Sequence, residues 1–177
     1  MTKTPTIAII GAGFCGTMTM IQLIKQSQFP LKIVLINKEY PLAKGIAYST
    51  FNSHHVLNVP AAKMSAFPDE PDNFIDWVKS RKEYSDFVDD DLPDTFLPRV
   101  IYGKYLEELV EKTLNDLPEN VTVQLLEDEA IDIIPEDSGA EIRFLNSESL
   151  KADKIVLALG NYVPDNPRIK DASFFRS

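Results

Sequence analysis

The chain has 177 residues, 44% of them hydrophobic and 25% charged, with a net charge of −9, two histidines and a single cysteine. At about 150 residues per domain this makes one domain with a sizeable core. The acidic balance, without any Lys/Arg cluster, offers no footprint for a phosphate backbone and excludes nucleic acid and anionic membrane surfaces as partners. The opening MTKTPTIAII lacks the cationic start and cleavage site of a signal peptide, and no stretch has the roughly 18 consecutive apolar residues of a membrane span. A soluble, cytoplasmic protein is expected. Cys15 has no internal partner, and the adjacent pair His54 and His55, with no CxxC, makes no metal-ligand set. Adjacent side chains point in different directions in any regular structure, so one histidine is read as a surface residue and the other as a hydrogen-bonded loop residue. Any redox chemistry must then come from a bound cofactor.

In chain order, Thr6 to Ile10 is a short β-branched run that stops at glycine, the pattern of a strand buried on both faces. Phe14 to Gln28 carries apolar residues at 14, 18, 21 and 24 and reads as a helix. Lys32 to Ile36 is a second buried strand. Tyr40 to Val100 is a stretch of about sixty residues rich in Pro, Asn, Ser and Asp, with one predicted helix at Asp72 to Lys82. Excursions of this length with so little regular structure are more often functional than idle. From Tyr102 to Leu117 the i, i+3, i+4, i+7 rule holds throughout, predicting a helix that Pro118 ends. Val121 to Leu125 alternates, placing Val121, Val123 and Leu125 on one face. Ala130 to Ile134 and Glu141 to Leu145 flank the turn signal PEDSG and are followed by a polar bend at NSES. They predict an antiparallel hairpin or meander, after which Lys154 to Leu159 reads as a last buried strand. The expected class is α/β: a Rossmann-like parallel sheet with a βαβ unit and an antiparallel β-meander before its last parallel strand.

The sequence IAIIGAGFCG places Gly11, Gly13 and Gly16 in a GxGxxG directly after the first strand and at the head of the first helix. In that setting the first glycine permits a tight turn, the second lets the backbone approach a pyrophosphate, and the third lets helix pack on strand. The anion then meets free N–H groups and the positive end of the helix dipole, without any basic side chain. Phe14 and Cys15 complete the loop. A thiol at a helix N-terminus can be activated, but no resolving cysteine and no histidine stands near Cys15 in sequence, and a small side chain beside the phosphates accounts for it. About 20 residues past such glycines an Asp or Glu usually accepts from the adenosine ribose; here Asn37 stands 21 residues after Gly16. Asn can still accept and donate. Without a carboxylate a 2'-phosphate is not repelled, and the neighbouring Lys38 could pair with one, so NADP is a rival ligand at this loop.

The same segments, with LAKGIAYS at 42–49, HVLNVPAAKMSAFPDEPDNFIDWV at 55–78, LPRVIYGKYL at 97–106 and KIVLALGNYVP at 154–164, resemble the FAD-NAD(P)-binding flavoproteins. These are glutathione-reductase-like and distantly related to ornithine and lysine N-hydroxylases. The resemblance implies an FAD held in extended form. Its pyrophosphate would lie on Gly11 to Gly16, its adenosine near Asn37, Lys38 and the backbone around Ala130, its phosphates also close to Gly160, and Arg99 near the flavin half. Asn58, Met64, Ser65 and Phe67, in the only stretch long enough to cover the ring system, are the implied ring contacts.

Two departures stand out: Asn37 replaces the usual Glu, and the chain stops at Ser177, seventeen residues past Gly160. Residues 1–177 are therefore expected to form one FAD-binding domain with a loop-rich insertion at 40–100. A separate NAD(P)-binding domain is expected to be absent, so steady NAD(P)H oxidation is not expected, and a homodimer could cover the exposed face. The leading function is the FAD-binding part of a flavin-dependent oxidoreductase or monooxygenase-like protein with NAD(P)H as co-substrate. A non-catalytic dinucleotide-sensing module and an NADP-binding Rossmann protein are the alternatives. The last of these predicts a Tyr-x-x-x-Lys set, which Tyr102, Lys104 and Tyr105 do not supply.

Overall fold

A computed structural model describes residues 3–39 and 41–161, so the Tyr40 start of the excursion and the Tyr162–Pro164 end of the last motif lie outside the described residues. The elements are β1 (Thr6–Ile10), α1 (Phe14–Gln26), β2 (Leu31–Asn37), α2 (Gly45–Tyr48), α3 (Asn73–Lys79), α4 (Arg99–Asn115), β3 (Val121–Glu127), β4 (Ala130–Glu136), β5 (Gly139–Phe144), β6 (Leu150–Ala152) and β7 (Lys154–Leu157). β3, β2, β1 and β7 make a parallel sheet in that order, and β4, β5 and β6 an antiparallel one. This is the expected α/β architecture, with the meander placed before the last parallel strand.

The β-branched runs of β1 and β2 are buried on both faces for a visible reason. Ile9, Ile33 and Leu35 point into a core shared with α1, α4 and the excursion. Their neighbours Ala8, Ile10, Val34 and Ile36 point the other way, onto Ile142, Phe144 and Ala152 of the meander. A strand read as continuously apolar is thus one covered by two different layers.

The outer strands differ from their sequence readings. β7 ends at Leu157 instead of Leu159, and with β1 its one paired neighbour among the described residues its Leu157 is 59% exposed. On β3, Val121 is buried but Leu125 is exposed, because the apolar cover reaches only the start of this edge strand. The meander gains a third strand, β6, in the polar stretch after NSES, where pairing with β5 rather than any apolar pattern fixes the backbone.

Helix boundaries shift by a few residues. α1 stops at Gln26 because Ser27 is already extended, and the predicted helix at Asp72 to Lys82 is α3 followed by a separate 3-10 turn at Lys82–Phe87. α4 begins three residues earlier than its periodicity indicates, directly after Pro98. The larger difference concerns the excursion. Leu57, Ala61, Met64, Phe67, Phe74, Val78, Leu92 and Leu97 all join the main core, although short 3-10 turns at Ala61–Lys63 and Leu92–Asp94 supply most of its regular backbone between α2 and α3 and after Phe87. Its two halves pair with each other, Leu57 N–H to the Leu97 carbonyl at 2.8 Å and Ala61 N–H to that of Thr95 at 2.9 Å.

α4 anchors this irregular layer. Tyr105, fully buried, donates to Asn73 Oδ1 at 2.6 Å and accepts from Ala66 N–H at 3.3 Å. Glu107 takes Lys44 at 2.6 Å and Lys104 at 2.9 Å. Burial pushes the Glu107 carboxyl up, but the two lysines outweigh it and hold it below the usual carboxylate range. Tyr105→Phe leaves the Ala66 N–H and Asn73 without their partner and should cost about 1–3 kcal/mol in urea unfolding.

On the opposite face the Asp128 carboxylate accepts from Ser147 Oγ at 2.5 Å, from Glu129 N–H at 2.7 Å and from Asn146 Nδ2 at 3.1 Å. These bonds, the Ser147 hydroxyl foremost, hold its pKa below the ordinary value. A depressed folded-state pKa adds stability that is present above the unfolded pKa and is lost as pH falls through the folded one. Acidification below about pH 4 should therefore lower the Tm of the native chain more steeply than that of Asp128→Asn.

Candidate functional site

β1 runs into Gly11, whose φ of 99° and N–H bond to the Ile36 carbonyl at 2.8 Å turn the chain sharply across the sheet. A Cβ here would stand 2.3 Å from the Ala158 carbonyl oxygen. The next residue, Ala12, is held at both of its flanking peptides. Its N–H donates to Asn37 Oδ1 at 3.0 Å, and its carbonyl accepts from Thr17 Oγ1 at 3.2 Å and from Ala43 N–H at 2.8 Å. Gly13, extended at φ −72° and ψ −169°, then opens α1. No side chain caps this helix and no acidic residue sits in its first turn. The first-turn N–H groups of a helix have no intrahelical partner, so they remain directed outward for an anion. At Gly16 a Cβ would fall 1.8 Å from the Gly11 carbonyl oxygen and 3.2 Å from Ala158 Cβ. The third glycine thus does what the motif asks of it, letting α1 lie on the strand ends.

A second backbone segment crosses over this loop. Gly45, φ 53°, brings its Cα to 3.5 Å from where a Gly13 Cβ would be, and Ala43 just before it adopts φ 73°, a left-handed conformation rare for a residue with a side chain. Lys44 between them is buried and tied to Glu107 of α4. The turn that overlies the glycines is therefore fixed from the far side of the core. Sequence reading did not single out Thr17, Ala43 or Gly45 for this role; the only available signal was Gly45 within LAKGIAYS.

The remaining candidates separate into groups. Phe14 is half-buried against Tyr102, with ring centroids 6.4 Å apart, and Cys15 is exposed. Asn37 reaches the glycine loop, where its oxygen holds Ala12 and its amide donates to the Glu39 carbonyl. Lys38 Nζ lies 2.9 Å from Glu129 Oε2. Ala130 opens β4 beside it, and Gly160, φ 68°, has open space where a Cβ would be. Arg99 begins α4, its N–H bonded to the His55 carbonyl at 2.8 Å and its Nε to that of Val56 at 2.9 Å.

The implied ring contacts are more occupied with the protein itself. Met64 and Phe67 lie in the main core. Ser65 Oγ bonds the Phe67 and Glu70 carbonyls at 3.0 Å and 2.6 Å, and Asn58 is exposed. His55 Nδ1 lies 2.8 Å from Thr50 Oγ1 and His54 is a surface residue, as expected of the pair. Among the described residues no group of three His, Cys, Asp or Glu side chains could hold a metal ion, and no helix is long and apolar enough to cross a membrane.

Comparison with known proteins agrees with this fold. No curated protein matches the chain significantly. Among solved structures, an open form of cyclohexanone monooxygenase superposes over 90% of the chain at 18% identity and a TM-score of 0.57, and bacillithiol disulfide reductase Bdr (YpdA) from Staphylococcus aureus over 90% at 17% identity and 0.57. OTEMO in complex with FAD and NADP superposes over 98% at 12% identity and 0.55. At these identities the likeness is one of fold, and the chain spans only 27%, 39% and 29% of those proteins. The family model described as FAD-NAD(P)-binding matches residues 8–162, from the first strand past the last, and the chain belongs to that family.

Proposed function

We propose that the loop Gly11–Gly16 binds the pyrophosphate of FAD and that the chain is the FAD-binding part of a flavin-dependent oxidoreductase or monooxygenase-like protein that draws on NAD(P)H. The observation that carries this reading is the uncapped start of α1 behind Ala12, whose N–H and carbonyl are clamped by Asn37, Thr17 and Ala43. Such a cradle is already organised for an anion and loses little by binding one. Bound FAD supplies the hydride and electron chemistry. The protein's part is to hold and shield it. The adenosine end falls to Asn37, Lys38 and the backbone at Ala130, with Gly160 close to the phosphates. Arg99 is the cation for the flavin half, and the layer containing Asn58, Met64, Ser65 and Phe67 covers the ring system.

The glycines give this reading a clean test. At Gly13 an added Cβ meets only Gly45 Cα at 3.5 Å, an ordinary contact, whereas at Gly16 it would collide with the Gly11 carbonyl. Gly13→Val should keep the cooperative thermal transition of the native chain and lose at least about tenfold in FAD affinity. Gly16→Val should lose the transition itself. A flavin spectrum and thermal shift with FAD are the expected results for the native protein. A thermal shift with NADP and none with FAD would overturn the assignment.

A further inference from the structure

The end of β2 lacks the carboxylate that usually faces the ribose in this kind of site, and Asn37 spends both arms of its side chain on the chain's own backbone. Lys38 is therefore the first side chain past the clamp with a charge to offer a nucleotide. It is not free to offer it. Glu129, in the connection after β3, holds Lys38 Nζ at 2.9 Å. Its position is set by the sheet: Asn37 and Glu127 are register partners, the Asp128 N–H donates to the Asn37 carbonyl at 3.1 Å, and the Asp128 side chain holds the Glu129 N–H. Glu39 is the other acid acting on the same lysine.

We propose that Glu129 is the specificity-determining residue of the adenosine end: by engaging Lys38 it supplies from the connection after β3 the negative charge that β2 lacks, and excludes nucleotides carrying a 2'-phosphate. The inference rests on the reading of Gly11–Gly16 and Asn37 as the FAD site. A 2'-phosphate arriving beside this pair would have to displace a carboxylate from its lysine and then remain next to that carboxylate. A free 2'-hydroxyl carries no charge to repel. Removing Glu129 turns the same lysine from a neutralised group into a phosphate ligand.

The experiment is calorimetric titration of the full chain with 5'-ADP and with adenosine 2',5'-bisphosphate, read as the ratio of their Kd values. The native protein should favour 5'-ADP. Glu129→Gln, and independently Glu129→Ser, should shift the ratio toward the bisphosphate by about tenfold, the scale of one hydrogen bond to a charged group. Adding Lys38→Gln to Glu129→Gln should remove that shift. A ratio unchanged by both Glu129 variants, or a shift that survives loss of Lys38, overturns the proposal while leaving the FAD site standing. Failure of the native chain to bind either nucleotide, together with no thermal shift from FAD, overturns the site reading and the proposal with it.

Discussion

Everything at the glycine end of this molecule depends on one residue, Ala12, and the two peptide groups that flank it. Three elements converge on it: β2 through Asn37 Oδ1, α1 through the Thr17 hydroxyl, and the turn before α2 through the Ala43 N–H. Each bond alone is worth about 1 kcal/mol. Together they set where β1 ends, how α1 departs, and which N–H groups of its first turn are left without a partner. The left-handed Ala43 fits the same pattern, since backbone strain persists where surrounding bonds over-determine it.

The clamp also resolves an apparent conflict between composition and ligand. A chain of net charge −9 is a poor long-range attractor for a dinucleotide carrying phosphates. At physiological ionic strength, however, exposed charges beyond about 8 Å are largely screened, so donors in direct contact decide. In the proposed site those donors are backbone N–H groups at a helix start, and they cost the surface no basic side chains. Among the described residues, Lys44 is committed to Glu107 and Lys38 to Glu129. On the proposed reading, charge at this site sorts ligands and holds the loop in place, while neutral backbone supplies the attraction.

The parts legible in the sequence are those where the chain obeys a period or a fixed spacing. β1, β2, α1 and α4 have one, and so has GxGxxG. Outside the helix predicted at Asp72 to Lys82 the excursion has none, and its apolar residues Leu57, Met64, Phe67, Leu92 and Leu97 gave no sign that they join the main core. Irregular backbone packs side chains where tertiary contacts put them, as Tyr105 of α4 does for Ala66 and Asn73. Edge position was equally invisible, because KIVLAL reads the same whether one neighbour or two flank it, and only pairing shows that β7 has β1 on one side. At the site, the turn at Gly11 and the close packing at Gly16 were legible from spacing. The partners of Asn37 and Lys38 were not, since Ala12 and Glu129 reach them through the register of the sheet.

Amide hydrogen exchange resolved to single residues across Ala12–Thr17, with and without FAD, tests the central claim most directly. The account predicts that the Ala12 N–H, held by Asn37, is protected in both states, while those of Gly13, Phe14 and Cys15 exchange fast in the free protein and slow on adding FAD. An Ala12 amide that exchanges freely, or FAD protection that leaves Gly13 to Cys15 unchanged, would contradict it.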